Sequence, residues 1–168
     1  MSLLGKLKNA LQASAAENAL AKERMAALFM QSLQADALDG YQLAYGKHMK
    51  AGPSLSGGSR HTFYNYVVGY KPDPVNIDVV LVPVDADLRS YGAPILINTK
   101  TFKKAGKTFL SGLYKFKTIY GNSFVFQVPP VNGKAASMMG SEEVAINQEA
   151  EARLFKAFFE QVRQLSGK

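Results

Sequence analysis

Apolar side chains in the first forty residues recur every three or four positions, which is the spacing of one face of an α-helix. This pattern predicts a helical region over residues 1–40, formed by one helix or by two. Ser14 and Glu17 match a capping box, so a second helix would begin near Ser14. The apolar stripe consists of Leu4, Leu7, Leu11, Ala15, Ala21, Met25, Leu28, Phe29, Leu33 and Ala37.

The hydrophobic pattern changes after the helical region. Residues 41–60 end in a run of Gly, Pro and Ser, which predicts a flexible loop. Residues 61–130 then alternate with the period of two that is typical of strands. Residues 77–84 are apolar on both faces, as expected for a central strand. Two prolines at 129–130 end the sheet, because proline cannot donate a ladder hydrogen bond.

Helical spacing returns over residues 141–166. Ser141 can cap this helix, and Glu142 and Glu143 would lie in its first turn, where the helix dipole favours negative charge. The buried stripe is predicted to comprise Ala150, Leu154, Ala157, Phe158, Val162 and Leu165, widened by Phe155 and Phe159.

These elements predict a single α+β domain over residues 1–168. It would contain an N-terminal helix or two, a largely antiparallel sheet of about five to six strands, and a C-terminal helix packing on the sheet. Consecutive strands without intervening helices favour antiparallel pairing. This order of elements also resembles that of a pleckstrin-homology-like barrel, but a topology does not determine a function.

The positive charge of the chain is concentrated in one block. The net charge is +7, and residues 100–140 contain seven lysines and no acidic residue. Basic and acidic side chains cancel over the rest of the chain. Because this block also contains strand-like alternation of lysines with aromatic residues, it is the strongest candidate for a binding surface.

A hairpin is expected within this block, with Gly121-Asn122 as a two-residue turn. That register would place Phe126 opposite Lys117, so that aromatic rings share the lysine side of the hairpin. Aromatic rings beside lysines can stack nucleic-acid bases while the ammonium groups hold phosphates. Alternatively, solvated lysines protect an exposed strand edge against aggregation.

These features favour a non-enzymatic binding or assembly module whose basic, aromatic segment, residues 100–128, contacts an anionic macromolecular surface. The partner would be an acidic protein, a nucleic acid or an anionic lipid surface. No cofactor and no metal site are expected. The predicted binding residues are Lys100, Lys103, Lys104, Lys107, Lys115, Lys117, Phe126, Arg60 and His61.

Three alternatives remain open at this point. The chain could hold a small ligand or an enzymatic site in a pocket lined by Tyr64, Tyr66, Tyr70 and His61. Residues 1–11 form a basic amphipathic pattern that, with the lysine patch, could bind an anionic membrane peripherally. The N-terminal helix could also join copies of the chain into a homo-oligomer or larger assembly.

The sequence lacks the residues that several classes of catalytic or metal site require. The chain has no Cys, which excludes thiolate nucleophiles and Cys-type metal sites. Gly106-Lys107-Thr108 resembles the end of a phosphate-binding loop, but Thr101 stands where its first Gly is needed. We expect the aspartates at positions 73, 78, 85 and 87 to serve in turns rather than bind metal.

Targeting features are absent as well. No apolar run reaches the roughly 18 residues of a membrane-spanning helix. Polar residues interrupt the N-terminal apolar stretch, so a secretory signal is not expected. A cytoplasmic location is therefore predicted.

Overall fold

The computed structural model describes residues 14–53, 59–73, 75–108, 113–133 and 144–166. Antiparallel sheets lie between two helices in the chain, and the C-terminal helix packs on them, which confirms the predicted α+β class. The elements are α1 (Ala15–Leu33), β1 (Gln42–Pro53), β2 (Ser59–Tyr70), β3 (Asp78–Val84), β4 (Ile95–Asn98), β5 (Phe102–Lys107), β6 (Tyr114–Thr118), β7 (Ser123–Phe126), β8 (Val131–Asn132), β9 (Ile146–Asn147) and α2 (Glu149–Leu165).

Helix α1 begins at the predicted capping box. The Ser14 hydroxyl accepts a hydrogen bond from Glu17 N at 3.2 Å, and Ser14 N donates to the Glu17 carboxylate at 2.8 Å. The helix ends at Leu33, earlier than the predicted region, because Gln34 adopts a left-handed conformation with φ of 53°. The predicted helical stripe over residues 1–13 lies outside the described residues.

The first sheet has the strand order β1-β2-β3-β4, with antiparallel pairing throughout. The loop predicted over residues 41–60 is wrong, because Gln42–Pro53 is a strand paired along its length with β2. Ala44 and Tyr45 are fully buried on opposite faces of this strand. Its second half is polar, so its alternation is weak in the sequence, and only pairing with β2 makes it a strand. Residues 54–58 lie outside the described part of the chain.

The second sheet has the order β5-β6-β7, and β8 pairs with β9 in a short ladder. Strand β5 was not anticipated in the sequence. Reciprocal backbone hydrogen bonds join the first and second sheets where Lys47 N donates to Gln127 O at 2.9 Å and Gln127 N donates to Lys47 O at 2.8 Å. Strand β1 therefore has β2 on one side and, at Lys47, the residue that follows β7 on the other.

Both faces of the first sheet are buried, which produces two hydrophobic clusters. One face packs against α1, and Gly69 makes this contact possible, because a Cβ atom there would lie 2.2 Å from the Phe29 ring. The other face packs against the second sheet and α2. The second sheet buries only its inner face in this cluster, so its outer face is available to solvent.

Helix α2 begins at Glu149 rather than at residue 141, and Gln148 is its N-cap. The predicted Ser141 cap lies outside the described residues. Leu154 was predicted to be buried and is instead 52% exposed, so that part of the predicted stripe is wrong. The buried positions are Phe155, Phe158, Phe159 and Val162. The buried face of α2 is therefore the one that carries its aromatic side chains, which pack in one cluster with residues of both sheets.

Candidate functional site

The loop of the β6–β7 hairpin determines which side chains can join the lysines. Lys117 pairs with Ser123, and the four residues 119–122 connect the strands, with Gly121 at φ of +86°. The predicted two-residue turn is therefore wrong. It would have paired Lys117 with Phe126, and a shift of three positions, being odd, moves every β7 side chain to the opposite face.

Phe126 accordingly does not belong to an exposed surface. It is fully buried, and its ring stacks on Phe116 with centroids 6.0 Å apart. Tyr114 and Phe124 are partly buried against the same cluster. The prediction that Phe126 and Phe124 of the return strand share the lysine side is therefore wrong, because in the observed register these rings pack into the core between the second sheet and α2.

Five lysines of this block, four of them exposed and Lys115 half-buried, form what we call the lysine surface: Lys100, Lys103, Lys104, Lys115 and Lys117. Lys115 and Lys117 alternate with the buried residues of β6 and therefore point outward. Lys104 lies directly opposite Lys117 in the ladder, although like charges in that position destabilise a sheet. Within the described residues, none of the five ammonium groups has a carboxylate partner within 4.0 Å.

Lys107 differs from these five lysines. Its ammonium forms an ion pair with Glu160 of α2 at 2.6 Å and lies 5.7 Å from the centroid of the Tyr114 ring. The hydrogen bond from Lys107 lowers the pKa of the Glu160 carboxyl, and Arg163 contributes to the same shift. Lys107 therefore links β5 to α2, and its charge is already compensated inside the protein.

Arg60 and His61 belong to strand β2, where they lie opposite Gly52 and Ala51 of β1. Both residues were predicted to lie in or beside a loop. Their side chains lie outside the described part of the structure. They remain predicted contributors to anion binding.

A groove of about 360 Å³ is lined by residues of β1, β2 and β7. Tyr64 and Tyr66 line it, as in the predicted pocket, but Tyr70 is fully buried against Phe158, with ring centroids 4.7 Å apart. The pocket predicted to include Tyr70 is corrected accordingly. The groove is lined by His48, Lys50, Tyr64, Tyr66, Ser123, Phe124 and Val125.

His48 lies in this groove, although the sequence did not place it beside the tyrosines. Its ring stacks on that of Tyr64 with centroids 6.2 Å apart. Its Nδ1 atom is buried and has no hydrogen-bond partner among the described residues. Burial lowers the pKa of His48, and the neighbouring charge of Lys50 lowers it further. The pairing of β1 with β2, which the sequence did not predict, brings the two rings together.

The aspartates at Asp73 and Asp85 close turns, as predicted. Asp85 Oδ1 accepts hydrogen bonds from Arg89 N at 2.7 Å and Ser90 N at 3.1 Å, and Asp85 Oδ2 accepts from the Ser90 hydroxyl at 2.8 Å. Across the described ranges, no three His, Cys, Asp or Glu side chains are grouped so that they could hold a metal ion.

A second cavity, of about 320 Å³, lies between α1 and α2. Its walls are mainly apolar, and Lys22 of α1 and Glu151 of α2 form an ion pair among its lining residues. Burial, followed by the Glu151 charge, raises the pKa of Tyr70 in its wall to about 12. The phenol of Tyr70 is therefore neutral at physiological pH.

Among the described residues, no helix combines the length and the apolar character needed to cross a membrane. Comparisons with protein-family models, curated proteins and solved structures find no match for this chain.

Proposed function

We propose that the protein is a non-enzymatic binding module whose lysine surface contacts an anionic macromolecular surface. The observation that carries this proposal is the Lys104–Lys117 pair, in which two uncompensated ammonium groups lie opposite each other on neighbouring strands. Such a pair repels in the free protein, and an anion placed between the two charges relieves the repulsion. Lys115 extends the same positive row along β6.

The geometry of the lysine surface suits a charged surface better than a specific small ligand. Side chains on one face of a strand repeat about every 7 Å, and neighbouring strands lie about 5 Å apart, so the charges form a flat grid. Lysine ammonium groups are hydrated point charges on flexible stems, which tolerate varied arrangements of phosphate or carboxylate groups. Binding would release counterions and would therefore weaken steeply with salt.

We expect the variant K103E/K104E/K117E to elute from heparin at a much lower salt concentration than the wild type. The matched control is R24E/R153E/K156E, which makes the same change in net charge at exposed positions on the two helices. If heparin binds at the lysine surface, only K103E/K104E/K117E loses retention. Binding then depends on the local cluster of charges and not on the net charge of the protein, which both variants change equally. Equal elution of the two variants would overturn the assignment of the surface.

The groove beside β1 supports a second candidate function, the binding of a small anionic ligand. Its supporting observation is the buried Nδ1 of His48, which lacks a partner among the described residues, close to Lys50 and the ring of Tyr64. Imidazole and ammonium groups would hold a carboxylate or phosphate, and the tyrosine rings would hold a planar body.

Benzoate, a planar anion, is expected to raise the pKa of His48 if it binds in this groove, because a nearby negative charge favours the protonated imidazole. The measurement is an NMR titration of the two histidines with and without benzoate, and His48→Gln identifies the signal. The same pKa for His48 in both titrations would contradict a site for planar anions in the groove.

A further inference from the structure

Two large apolar side chains protrude at the loop of the β6–β7 hairpin. Ile119 is 54% exposed and Tyr120 is 73% exposed. The loop is held in place, because Ile119 N donates a hydrogen bond to Thr101 O at 2.9 Å in the turn between β4 and β5. The Asn98 side chain holds that turn by accepting from Lys100 N at 3.0 Å. The exposed pair is therefore presented on an anchored structure.

Lysines surround this pair. Lys117 lies on β6, two residues before Ile119. Lys100 is next to Thr101, whose carbonyl accepts the hydrogen bond from Ile119 N. Lys103 follows in a bulge at the start of β5. All three lysines are exposed and have no carboxylate partner within the described residues. The hairpin end thus combines two protruding apolar side chains with three cations.

The neighbouring loop before β3 lies at the same end of the molecule, since Ile77 N donates to the Thr99 hydroxyl at 2.9 Å. It adds a third exposed apolar residue, Val75, at 71% exposure. It also contains Asp73, whose carboxylate accepts from Val75 N at 2.8 Å and Asn76 N at 3.1 Å. These bonds lower the pKa of the Asp73 carboxyl, which therefore stays ionised, and Lys100, Lys103 and Lys117 outnumber this one negative charge.

We infer that this end of the protein inserts Ile119 and Tyr120 into the interface of an anionic lipid bilayer while the surrounding lysines contact the lipid headgroups. This inference rests on the proposed function and names its partner. Tyrosine is suited to the boundary between headgroups and hydrocarbon, since its ring is apolar and its hydroxyl is polar. Lysine stems can lie along the apolar region while their ammonium groups reach anionic headgroups.

A nucleic acid would use these residues less well. Its phosphates would engage the lysines but would leave Ile119 without an apolar environment. Stacking of successive bases needs several exposed rings in a row, and the strand rings Phe116 and Phe126 are fully buried. A fluid anionic bilayer satisfies both the charges and the apolar pair.

The inference is tested by sedimentation of the full chain with vesicles of phosphatidylcholine alone and of phosphatidylcholine mixed with phosphatidylserine. The wild type should bind only the mixed vesicles. I119S/Y120S should bind them at least about tenfold more weakly, because insertion depends on buried apolar area. The same variant should keep its retention on heparin. The control L20S/L154S removes two apolar side chains of similar exposure from the helices and should bind as the wild type does.

Tyr120→Trp gives an independent readout, because the chain contains no other tryptophan. Its emission should shift to the blue with phosphatidylserine vesicles and stay unchanged with phosphatidylcholine alone. Wild-type-like binding by I119S/Y120S, or an unshifted emission, would overturn the insertion while leaving the lysine surface intact. Retention on heparin or nucleic acid without vesicle binding would exclude the lipid partner. If the lysine variant keeps heparin retention, the proposed function itself fails.

Discussion

Phe158→Ala is expected to destabilise the protein by roughly 3–5 kcal/mol. Phe158 is 2% exposed, and its ring centroid lies 4.7 Å from that of Tyr70. The substitution removes the buried ring and leaves a cavity that the first sheet cannot close, because the sheet is also packed against α1 on its other face. Urea or thermal unfolding measures the loss.

Leu154→Ala is the matched control for this prediction, because it shortens an apolar side chain on the same helix where that side chain is half exposed. We expect it to change the free energy of unfolding by about 0.5 kcal/mol or less. Equal losses for the two variants would show that the face of α2 described here does not form the core.

Gln148→Leu is expected to destabilise the protein by about 3 kcal/mol or more. The loss is large for a polar residue because its side chain is hydrogen-bonded in the interior. Its fully buried side chain acts as a strand partner for β1. Gln148 Oε1 accepts from Tyr45 N at 2.7 Å, and Gln148 Nε2 donates to Tyr45 O and Pro129 O, both at 2.8 Å. Leucine has a similar size but leaves these backbone groups without that partner, and each buried unpaired group costs about 1–3 kcal/mol.

Gln164→Leu, at an exposed position of α2, is the control for Gln148→Leu and should have little effect. Hydrogen exchange gives a second measurement, since the Tyr45 amide should exchange faster in Gln148→Leu than in the wild type. An unchanged Tyr45 exchange rate together with unchanged stability would contradict the role of the Gln148 amide.

The same core orients the lysine surface. The ring centroid of Phe159 lies 4.7 Å from that of Tyr114 and 5.3 Å from that of Phe116. Because Tyr114 and Phe116 pack on α2, the residues that alternate with them along β6, Lys115 and Lys117, point away from the core. Burial of the aromatic face therefore places these two lysines on the outer face of the second sheet.

The successful predictions depended on local interactions. The capping box at Ser14 and Glu17 involves residues three positions apart, so it is fully specified by the sequence. Strand β3 is apolar on both faces, and the structure buries both. Strand β1 was missed because its own sequence has a weak pattern, and it becomes a strand through its pairing with β2 and its bridge from Lys47 to Gln127.

The sequence by itself determined that the positive charge lies in one block and that Lys115 and Lys117 share a face of their strand, because the period of two is a local property of β structure. Only the tertiary structure decided that Phe126 faces the core, since the four-residue hairpin loop sets the register. It also decided that Lys107 is neutralised, because its partner Glu160 is 53 positions away and approaches only when α2 packs beside β5.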